Sequence, residues 1–362
     1  MADRTILFTG FPGFIGARLI PRLLDADPAA TIVALVEERM VDRAREAAAG
    51  LGVGDRVQIQ PGDITDPRLG LDDAVYERLL ADVVAVHHLA AIYDLAVPQA
   101  IAERVNVAGT RHIVDFCRAA PRLERHHYVS TAYVGGLRGG RVKESDLDAG
   151  QEFKNHYEST KYAAEVIVRD AMVDVPTTIY RPGIVVGDSR TGETQKFDGP
   201  YYLLRAIAAT ARRHLPLGIV PGLMTAPMNI VPVDFIVDAI VTGASYPEFA
   251  GETLHLVDPS PIPAGELYRM LTEEYGGSRF PVTLPLRVVE PLLKVRPISV
   301  FFGRIPLESL TYLDHHVVYD TRRATELLGA HGVRCPPVSE YVGPMVRFFR
   351  EHEKDAAYDP GR

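Results

Sequence analysis

The chain has 362 residues, of which 47% are hydrophobic and 24% charged, and its formal net charge is −8 at neutral pH. This length suits one large domain or two unequal lobes, and the acidic balance without any basic run argues against a nucleic-acid partner. The two cysteines lack C-x-x-C spacing, which argues against a disulfide framework and a zinc cluster. No apolar segment has membrane-spanning length, so we expect a soluble cytoplasmic protein without a transmembrane helix.

A glycine-rich turn follows the first predicted strand, Ile6 to Phe8. Gly10, Gly13 and Gly16 are three residues apart, and the segment "FIGARLIPRLL" after them has apolar residues at helical spacing. A glycine cluster alone indicates only a tight turn. Between a strand and a helix, however, glycines let the backbone approach a dinucleotide pyrophosphate, which the helix N-terminus attracts. The spacing G-x-x-G-x-x-G departs from the letter of G-x-G-x-x-G but satisfies the same mechanism.

Strands and helices alternate through the first half of the chain. Predicted strands are "TIVALV" (31–36), "VQIQ" (57–60), "VVAVHHLA" (83–90), "HHYVST" (126–131) and "TTIYRP" (177–182), and predicted helices include 102–120 and 162–172. Such alternation predicts right-handed crossovers and a parallel sheet covered on both faces. The expected class is therefore α/β, a Rossmann-type doubly wound parallel sheet with a smaller C-terminal substrate-binding lobe.

The predicted domain boundaries follow from a change after about residue 183, where prolines and glycines are scattered. We expect a dinucleotide-binding domain over 1–183 plus about 229–257, because "DFIVDAIVTGA" and "ETLHLV" are expected to return to the main sheet. Residues of about 184–228 and 258–352 would form the substrate-binding lobe, and 353–362 a tail.

The segment "YESTK" places Tyr157 and Lys161 four residues apart. On a helix these side chains share a face. The unperturbed pKa of the tyrosine phenol, about 10, is too high for proton exchange at neutral pH, and a neighbouring ammonium lowers it by favouring the phenolate. Ser130 and Thr131 end the fifth predicted strand, at the edge where open α/β sheets bind ligands. One of these hydroxyls could hold a carbonyl oxygen beside the tyrosine.

Seven motifs occur in an order that resembles the extended short-chain dehydrogenase/reductase superfamily. They are "TGFPGFIG", "GDI" (62–64), "HLAA" (88–91), "NVAGT" (106–110), "STAYVGG", "YESTK" and "YRPGIVVG" (180–187), and they cover about residues 4–190. The resemblance implies an NAD(P)-dependent oxidoreductase. It also implies that Tyr157 is the proton donor or acceptor, that Lys161 binds the nicotinamide ribose and lowers the tyrosine pKa, and that Thr131 fits the catalytic hydroxyl better than Ser130.

The same resemblance implies a cofactor site along the carboxyl edge of the sheet. The glycines would hold the pyrophosphate, Asp63 and Ile64 would contact the adenine, and Ala90 would line the cleft. The full implied cofactor-binding set is Gly10, Phe11, Pro12, Gly13, Phe14, Ile15, Gly16, Glu37, Arg39, Asp63, Ile64, Leu89, Ala90, Ala91, Asn106, Lys161, Pro182, Gly183 and Ile184.

Within the superfamily, "FKNHYESTKYAAE", "STAYV" and "GDSRTG" most resemble fatty acyl-CoA reductases and the thioester reductase domains of carboxylic acid reductases. That resemblance implies hydride transfer to an acyl thioester, giving an aldehyde that some members reduce further to an alcohol. Glu37 stands where those reductases often have arginine for the 2′-phosphate of NADP, which favours NAD, whereas Arg39 two residues later favours NADP. Both cofactors stay open at this point.

Other functions are compatible with the same core residues. A nucleotide-sugar epimerase or dehydratase and a lipid ketone reductase share this chemistry, and a non-catalytic dinucleotide-binding regulator would have no need of the phenol. The expected partner is a lipid or acyl thioester substrate, with a homodimer and peripheral membrane contact left open. The membrane hypothesis rests on 287–304, where four basic residues accompany apolar ones, although a lobe core covered by long side chains explains the pattern equally.

Three histidine pairs, at 87–88, 126–127 and 315–316, raise the question of a metal. Adjacent side chains on a strand point to opposite faces, so each pair is badly arranged to chelate one ion. We therefore predict no metal site.

Overall fold

The computed structural model describes residues 4–93, 97–211, 218–221, 224–276, 281–284, 291, 294, 295 and 311–359. Its central feature is a sheet of seven parallel strands. In spatial order these are β3 (Val57–Pro61), β2 (Ala30–Val36), β1 (Arg4–Thr9), β4 (Val83–His88), β5 (Arg125–Val129), β7 (Thr177–Pro182) and β11 (Thr253–Leu256). The order reverses between β1 and β4, which defines a doubly wound sheet with its switch point there. The predicted fold class is confirmed.

Helices cover both faces of this sheet, and further helices follow in the C-terminal part of the chain. They are α1 (Phe14–Ala26), α2 (Val41–Gly50), α3 (Asp73–Asp82), α4 (Gln99–Ala102), α5 (Gly109–Ala119), α6 (His156–Ala171), α7 (Tyr201–Ala211), α8 (Val233–Ser245), α9 (Ala264–Tyr275), α10 (Arg322–Ala330) and α11 (Val338–His352). A π-helical stretch, Glu103–Ala108, joins α4 to α5. Helix α6 begins six residues before the predicted start at 162, because Asn155 caps it by accepting a hydrogen bond from the Glu158 N–H.

The central strands are largely buried because both faces of the sheet are covered, although β5 and β7 also carry buried polar side chains. On β1, Phe8 packs in a cluster with Leu19 of α1 and Ile236 of α8, whereas the preceding Leu7 packs on the opposite face with Ile113 of α5. Alternate side chains of β1 thus pack on opposite faces of the sheet. The glycine-rich turn begins where this buried strand ends.

A second apolar cluster lies away from the sheet and joins α7, α9 and α11. Three short parallel pairs accompany it: β8 (Ile184–Val186) with β10 (Ile230–Pro232), β9 (Gly218–Pro221) with β12 (Pro281–Leu284), and β6 (Gly140–Val142) with β13 (Val317–Tyr319). "ETLHLV" contributes the seventh strand of the main sheet, and "DFIVDAIVTGA" forms α8, which packs on that sheet and against α1. Helix α10, which the predicted boundaries assign to the substrate-binding lobe, packs into the main-sheet cluster. The domain boundaries themselves stay a prediction.

Within the described ranges, no helix combines the length and apolar character needed to cross a bilayer. The basic and apolar segment at 287–304 lies outside the described residues except for positions 291, 294 and 295.

Candidate active site

The glycine-rich turn forms a backbone cradle between β1 and α1. Gly10 has φ +93°, and a Cβ there would lie 2.8 Å from the carbonyl carbon of Leu89. A Cβ on Gly13 or Gly16 would lie 2.7 Å from the Gly10 carbonyl oxygen, to which the Gly13 N–H donates at 3.0 Å. No side chain caps the N-terminus of α1. Glycines at an uncapped helix N-terminus suit a pyrophosphate, and binding by the turn from Gly10 to Gly16, with Phe11, Pro12, Phe14 and Ile15, stays a prediction.

The loop after β4 is held against this cradle by buried polar side chains. Thr9 Oγ1 accepts from the Ala90 N–H at 3.2 Å and lies 2.8 Å from His88 Nδ1. His88 Nε2 lies 3.0 Å from Thr110 Oγ1, so the histidine bridges two threonine hydroxyls. His88 therefore has a structural role under the predicted dinucleotide cleft, next to Leu89 and Ala91.

Asn106 connects the loop after β4 to helix α6, and the cofactor contact predicted for it stays a prediction. Its Oδ1 accepts from the Ile92 N–H at 2.9 Å, and its Nδ2 donates to the Ile92 carbonyl at 3.1 Å and to Thr160 Oγ1 at 3.1 Å. The amide thus ties the loop after β4 to helix α6, and its polar atoms are engaged in that task.

The predicted adenosine end carries both signs of charge. Glu37 and Arg39 form an ion pair at the surface, and Asp63 adds a further electrostatic contribution that raises the Arg39 pKa. The Ile64 side chain packs against Gly109, where an added Cβ would lie 2.8 Å from Ile64 Cδ1. A carboxylate, which suits ribose hydroxyls, thus stands beside a guanidinium, which suits a 2′-phosphate, and the choice between NAD and NADP stays open.

The two hydroxyls after β5 have separate environments. Ser130 Oγ donates at 2.6 Å to Glu165 Oε2, and this carboxylate is paired with Arg181 at 2.7 Å, with both charged groups fully buried. Thr131 Oγ1 accepts from the Tyr133 N–H at 3.3 Å and donates to the Pro182 carbonyl at 3.4 Å, next to Gly183 and Ile184. Ser130 thus belongs to a buried network with Glu165 and Arg181, Thr131 lies near Tyr157, and the catalytic roles predicted for them stay predictions.

Tyr157 is the second residue of α6, and the Thr131 hydroxyl lies near enough to act on its pKa. Burial raises the pKa of Tyr157 to about 12, the Thr131 hydroxyl opposes that shift, and the nearby Glu158 adds to it. The phenol is therefore fully protonated at neutral pH. A protonated phenol beside a hydroxyl can donate to an oxygen that becomes negative, which is the arrangement needed to stabilise a developing oxyanion.

Lys161 is bound to the sheet. Its Nζ donates to the Tyr128 phenol oxygen at 2.9 Å and to the Val129 carbonyl at 2.9 Å, and burial lowers its pKa to about 7. The pKa of Tyr157 lies above its ordinary value, and the lowering by Lys161 stays a prediction. The physical reason for the raised value is that burial of the phenol is the largest effect on its pKa. Ribose binding by Lys161 stays a prediction.

Sequence reasoning missed the residues that support this pair. Asn155 and Glu158 have the spacing of a capping box, a signal that was available in the sequence. Tyr128 and Tyr312 gave no local signal, because their contacts with α6 span 33 and 154 residues of chain, respectively.

The histidine pairs are explained by packing. His87 stacks on His127 of the neighbouring strand with ring centroids 4.3 Å apart, and burial lowers the His87 pKa to about 3. Across the part of the chain that the structure describes, no three histidine, cysteine or acidic side chains are grouped to hold a metal ion.

The doubly wound sheet, the glycine cradle at its switch point and the Thr131, Tyr157 and Lys161 set define an NAD(P)-dependent oxidoreductase of the extended short-chain dehydrogenase/reductase class. The NAD-binding family described as "Male sterility protein" matches residues 8–240, and the chain belongs to this family.

Relatives among characterised proteins are large synthetases and reductases. The chain is 31% identical over 361 residues, 94% of its length, to a linear gramicidin synthase polypeptide of Brevibacillus parabrevis. It is 28% identical over 275 residues, 69% of its length, to the large chain of the L-2-aminoadipate reductase of Penicillium chrysogenum. The chain spans only 7% and 19% of these two proteins, respectively.

Among solved structures, the terminal R domain from the myxalamid PKS-NRPS biosynthetic pathway matches with a TM-score of 0.84 and 28% identity, covering 98% of this chain and 92% of that one. UDP-glucuronic acid 4-epimerase from Bacillus cereus matches with a TM-score of 0.68 and 20% identity, covering 98% of this chain and 99% of the epimerase. At that identity the epimerase shares the fold alone.

Proposed function

We propose that this protein is an NAD(P)H-dependent reductase that converts a fatty acyl thioester, carried on CoA or on an acyl carrier protein, to an aldehyde and in some cases to the alcohol. The observation that carries the proposal is the placement of Tyr157 in the first turn of α6 near the Thr131 hydroxyl, which follows β5 and acts to lower the Tyr157 pKa. The likeness to an R domain and to an L-2-aminoadipate reductase supports a reductive reaction.

The reduced nicotinamide would supply hydride to the carbonyl carbon of the thioester. Thr131 orients the carbonyl oxygen, and Tyr157 gives its proton to that oxygen as negative charge develops. The hemithioacetal formed in this way loses the thiol and becomes the aldehyde, so one hydride and one proton are consumed for each thioester. Because its pKa is about 12, Tyr157 carries the proton it must donate throughout the neutral range.

The cofactor-binding residues fit their group on steric and electrostatic grounds. Gly10, Gly13 and Gly16 would hold the pyrophosphate, while Glu37 and Arg39 would contact the adenosine ribose or its phosphate. Lys161, which donates to the Tyr128 hydroxyl and the Val129 carbonyl, would bind the nicotinamide ribose.

Offering purified protein NADPH or NADH with long-chain acyl-CoAs and matched aldehydes tests the proposal. Oxidation of the reduced cofactor with stoichiometric release of free thiol and aldehyde is the expected result. Aldehyde reduction without thioester reduction would contradict the thioester substrate. Tightly held NAD with interconversion of nucleotide sugars and no net cofactor consumption would contradict reductase activity and favour an epimerase, whose fold this chain shares.

We place the protein in a reducing cytoplasm, since Cys117 and Cys335 are free thiols. A homodimer is also part of the proposal, and light scattering of the purified chain tests it. Contact with a membrane surface is checked by liposome partitioning before and after neutralisation of Lys294, Arg296 and Arg304, and unchanged partitioning would contradict it.

A further inference from the structure

A buried ion pair lies in the first turn of α6, next to the catalytic tyrosine. Glu158 is fully buried, the Lys154 side chain is 4% exposed, and Lys154 Nζ lies 3.2 Å from Glu158 Oε1. The Lys154 backbone N–H donates to Glu158 Oε2 at 3.0 Å. A buried carboxylate is tolerated only when it is paired and hydrogen bonded, so its neighbours determine whether this turn keeps its conformation.

One phenol from a distant part of the chain completes this arrangement. Tyr312 donates to Glu158 Oε1 at 2.8 Å and accepts from Asn155 Nδ2 at 3.0 Å. Asn155 also caps the helix, because its Oδ1 accepts from the Glu158 N–H at 3.0 Å. Asn155 and Glu158 flank Tyr157 in sequence, so a single hydroxyl contacts both ends of the turn that carries the catalytic phenol.

The ring of Tyr312 contacts the element that carries Thr131. It packs edge-on against Tyr133 with centroids 4.9 Å apart, and Lys154 Nζ lies 4.9 Å from the Tyr312 ring and 5.7 Å from the Tyr133 ring. Tyr133 in turn donates its backbone N–H to Thr131 Oγ1 at 3.3 Å. Tyr312 therefore lies at the junction between the two catalytic elements.

We propose that Tyr312 is a positioning residue, which holds the first turn of α6 in register with the 132–135 turn and so sets Tyr157 against Thr131. Its catalytic part rests on the proposed function, whereas its structural part does not. Tyr312 reaches this junction from the segment Thr311–Asp314, next to β13, so packing of the C-terminal part of the chain determines the geometry of the catalytic pair. The groups that surround its hydroxyl are Glu158, Asn155 and, through the ion pair, Lys154.

Tyr312→Phe tests the catalytic part because it removes the hydroxyl and keeps the ring. We expect kcat for thioester reduction to fall about tenfold, because a misplaced catalytic group slows the chemical step strongly. KM and cofactor affinity should stay within about twofold, since uniform binding is untouched. The solvent deuterium isotope effect on kcat should rise as proton delivery from Tyr157 becomes slower, which a loss of stability alone would not cause.

Tyr341→Phe is the matched control. It also removes a buried phenol hydroxyl from the C-terminal part of the chain, one that donates to the Ile230 carbonyl at 3.0 Å. We expect Tyr341→Phe to lower stability without changing kcat or the isotope effect. An equal loss of kcat in both variants would overturn the positioning role, because the effect would then be general destabilisation.

Hydrogen exchange of the α6 first turn gives a readout that needs no substrate. Exchange in a peptide covering 153–163 should quicken several-fold in Tyr312→Phe and stay unchanged in Tyr341→Phe. Unchanged exchange in Tyr312→Phe would overturn the proposal whatever the activity. If exchange is faster in Tyr312→Phe but the unaltered chain reduces no thioester, the structural part is upheld and the proposed function is contradicted. Faster exchange with unaltered kcat would overturn the catalytic part.

Discussion

The Lys161 ammonium lies 2.9 Å from the Tyr128 phenol oxygen, a contact that binds the lysine of the Y-x-x-x-K pair to the central sheet. The same lysine is 2% exposed, and burial lowers its pKa to about 7. It is therefore only part-protonated near neutrality, and its charge state couples the stability of the core to pH.

This coupling has a defined direction. Between the folded pKa of about 7 and the ordinary value of 10.5, the unfolded chain binds more protons at Lys161 than the folded chain does. The free energy of unfolding should therefore rise with pH through that interval. The contribution of Lys161 to that free energy is least favourable below the interval. We expect Lys161→Met to remove this part of the slope, measured by urea denaturation at several pH values. Lys143→Met, at an exposed position, should leave the slope unchanged; an unaltered slope in Lys161→Met would contradict the assignment.

The two hydroxyls after β5 should respond to substitution in opposite ways. Ser130→Ala removes one donor to the buried Glu165 carboxylate, which keeps its contacts with Arg181 and Arg169, so we expect a stability loss of about 1–3 kcal/mol with kcat retained. Thr131→Val removes the hydroxyl that faces Tyr157, so kcat should fall about 10²-fold or more with little change in stability. Thermal denaturation and steady-state kinetics on both variants check this. A larger loss of kcat in Ser130→Ala would reverse the assignment.

A methyl group in the glycine cradle should block the cofactor. Gly13→Ala places a Cβ 2.7 Å from the Gly10 carbonyl oxygen, so the turn must shift, and we expect affinity for NADPH and NADH to fall more than about tenfold. Gly50→Ala is the control, because no atom lies within 4 Å of its added Cβ. Isothermal titration measures both; equal affinity in Gly13→Ala and the unaltered chain would rule out the cradle as the pyrophosphate site.

The surface pair Glu37 and Arg39 should set the choice between cofactors. Glu37→Gln removes a charge that repels a 2′-phosphate and frees Arg39 to bind it, so the ratio of kcat/KM for NADPH over NADH should rise. Arg39→Gln should lower the same ratio. If both variants keep the ratio of the unaltered chain, the 2′ position of the ribose lies elsewhere.

The fold was predictable because its signals are local. The apolar strands, the glycines at the β1–α1 junction and the Tyr157–Lys161 spacing can all be read within a few residues of sequence. The direction of the Tyr157 pKa shift was not, because it depends on burial by surrounding elements. The contact of Tyr312 with Glu158 bridges 154 residues, and no periodicity or motif encodes such a pairing. Helix α6 began earlier than expected because a side-chain cap, not apolar spacing, fixes its first residue.

The most direct test of the account follows a labelled hydride. Protein is incubated with a long-chain acyl-CoA and nicotinamide cofactor deuterated at the transferred position, and the aldehyde is trapped and analysed by mass spectrometry. We predict one deuterium on the aldehyde carbon, and a loss of rate of about 10²–10⁴-fold in Tyr157→Phe with cofactor binding retained. Tyr162→Phe, on the same helix, should behave like the unaltered chain. An aldehyde without deuterium, or a Tyr157→Phe variant with most of its turnover, would contradict the account.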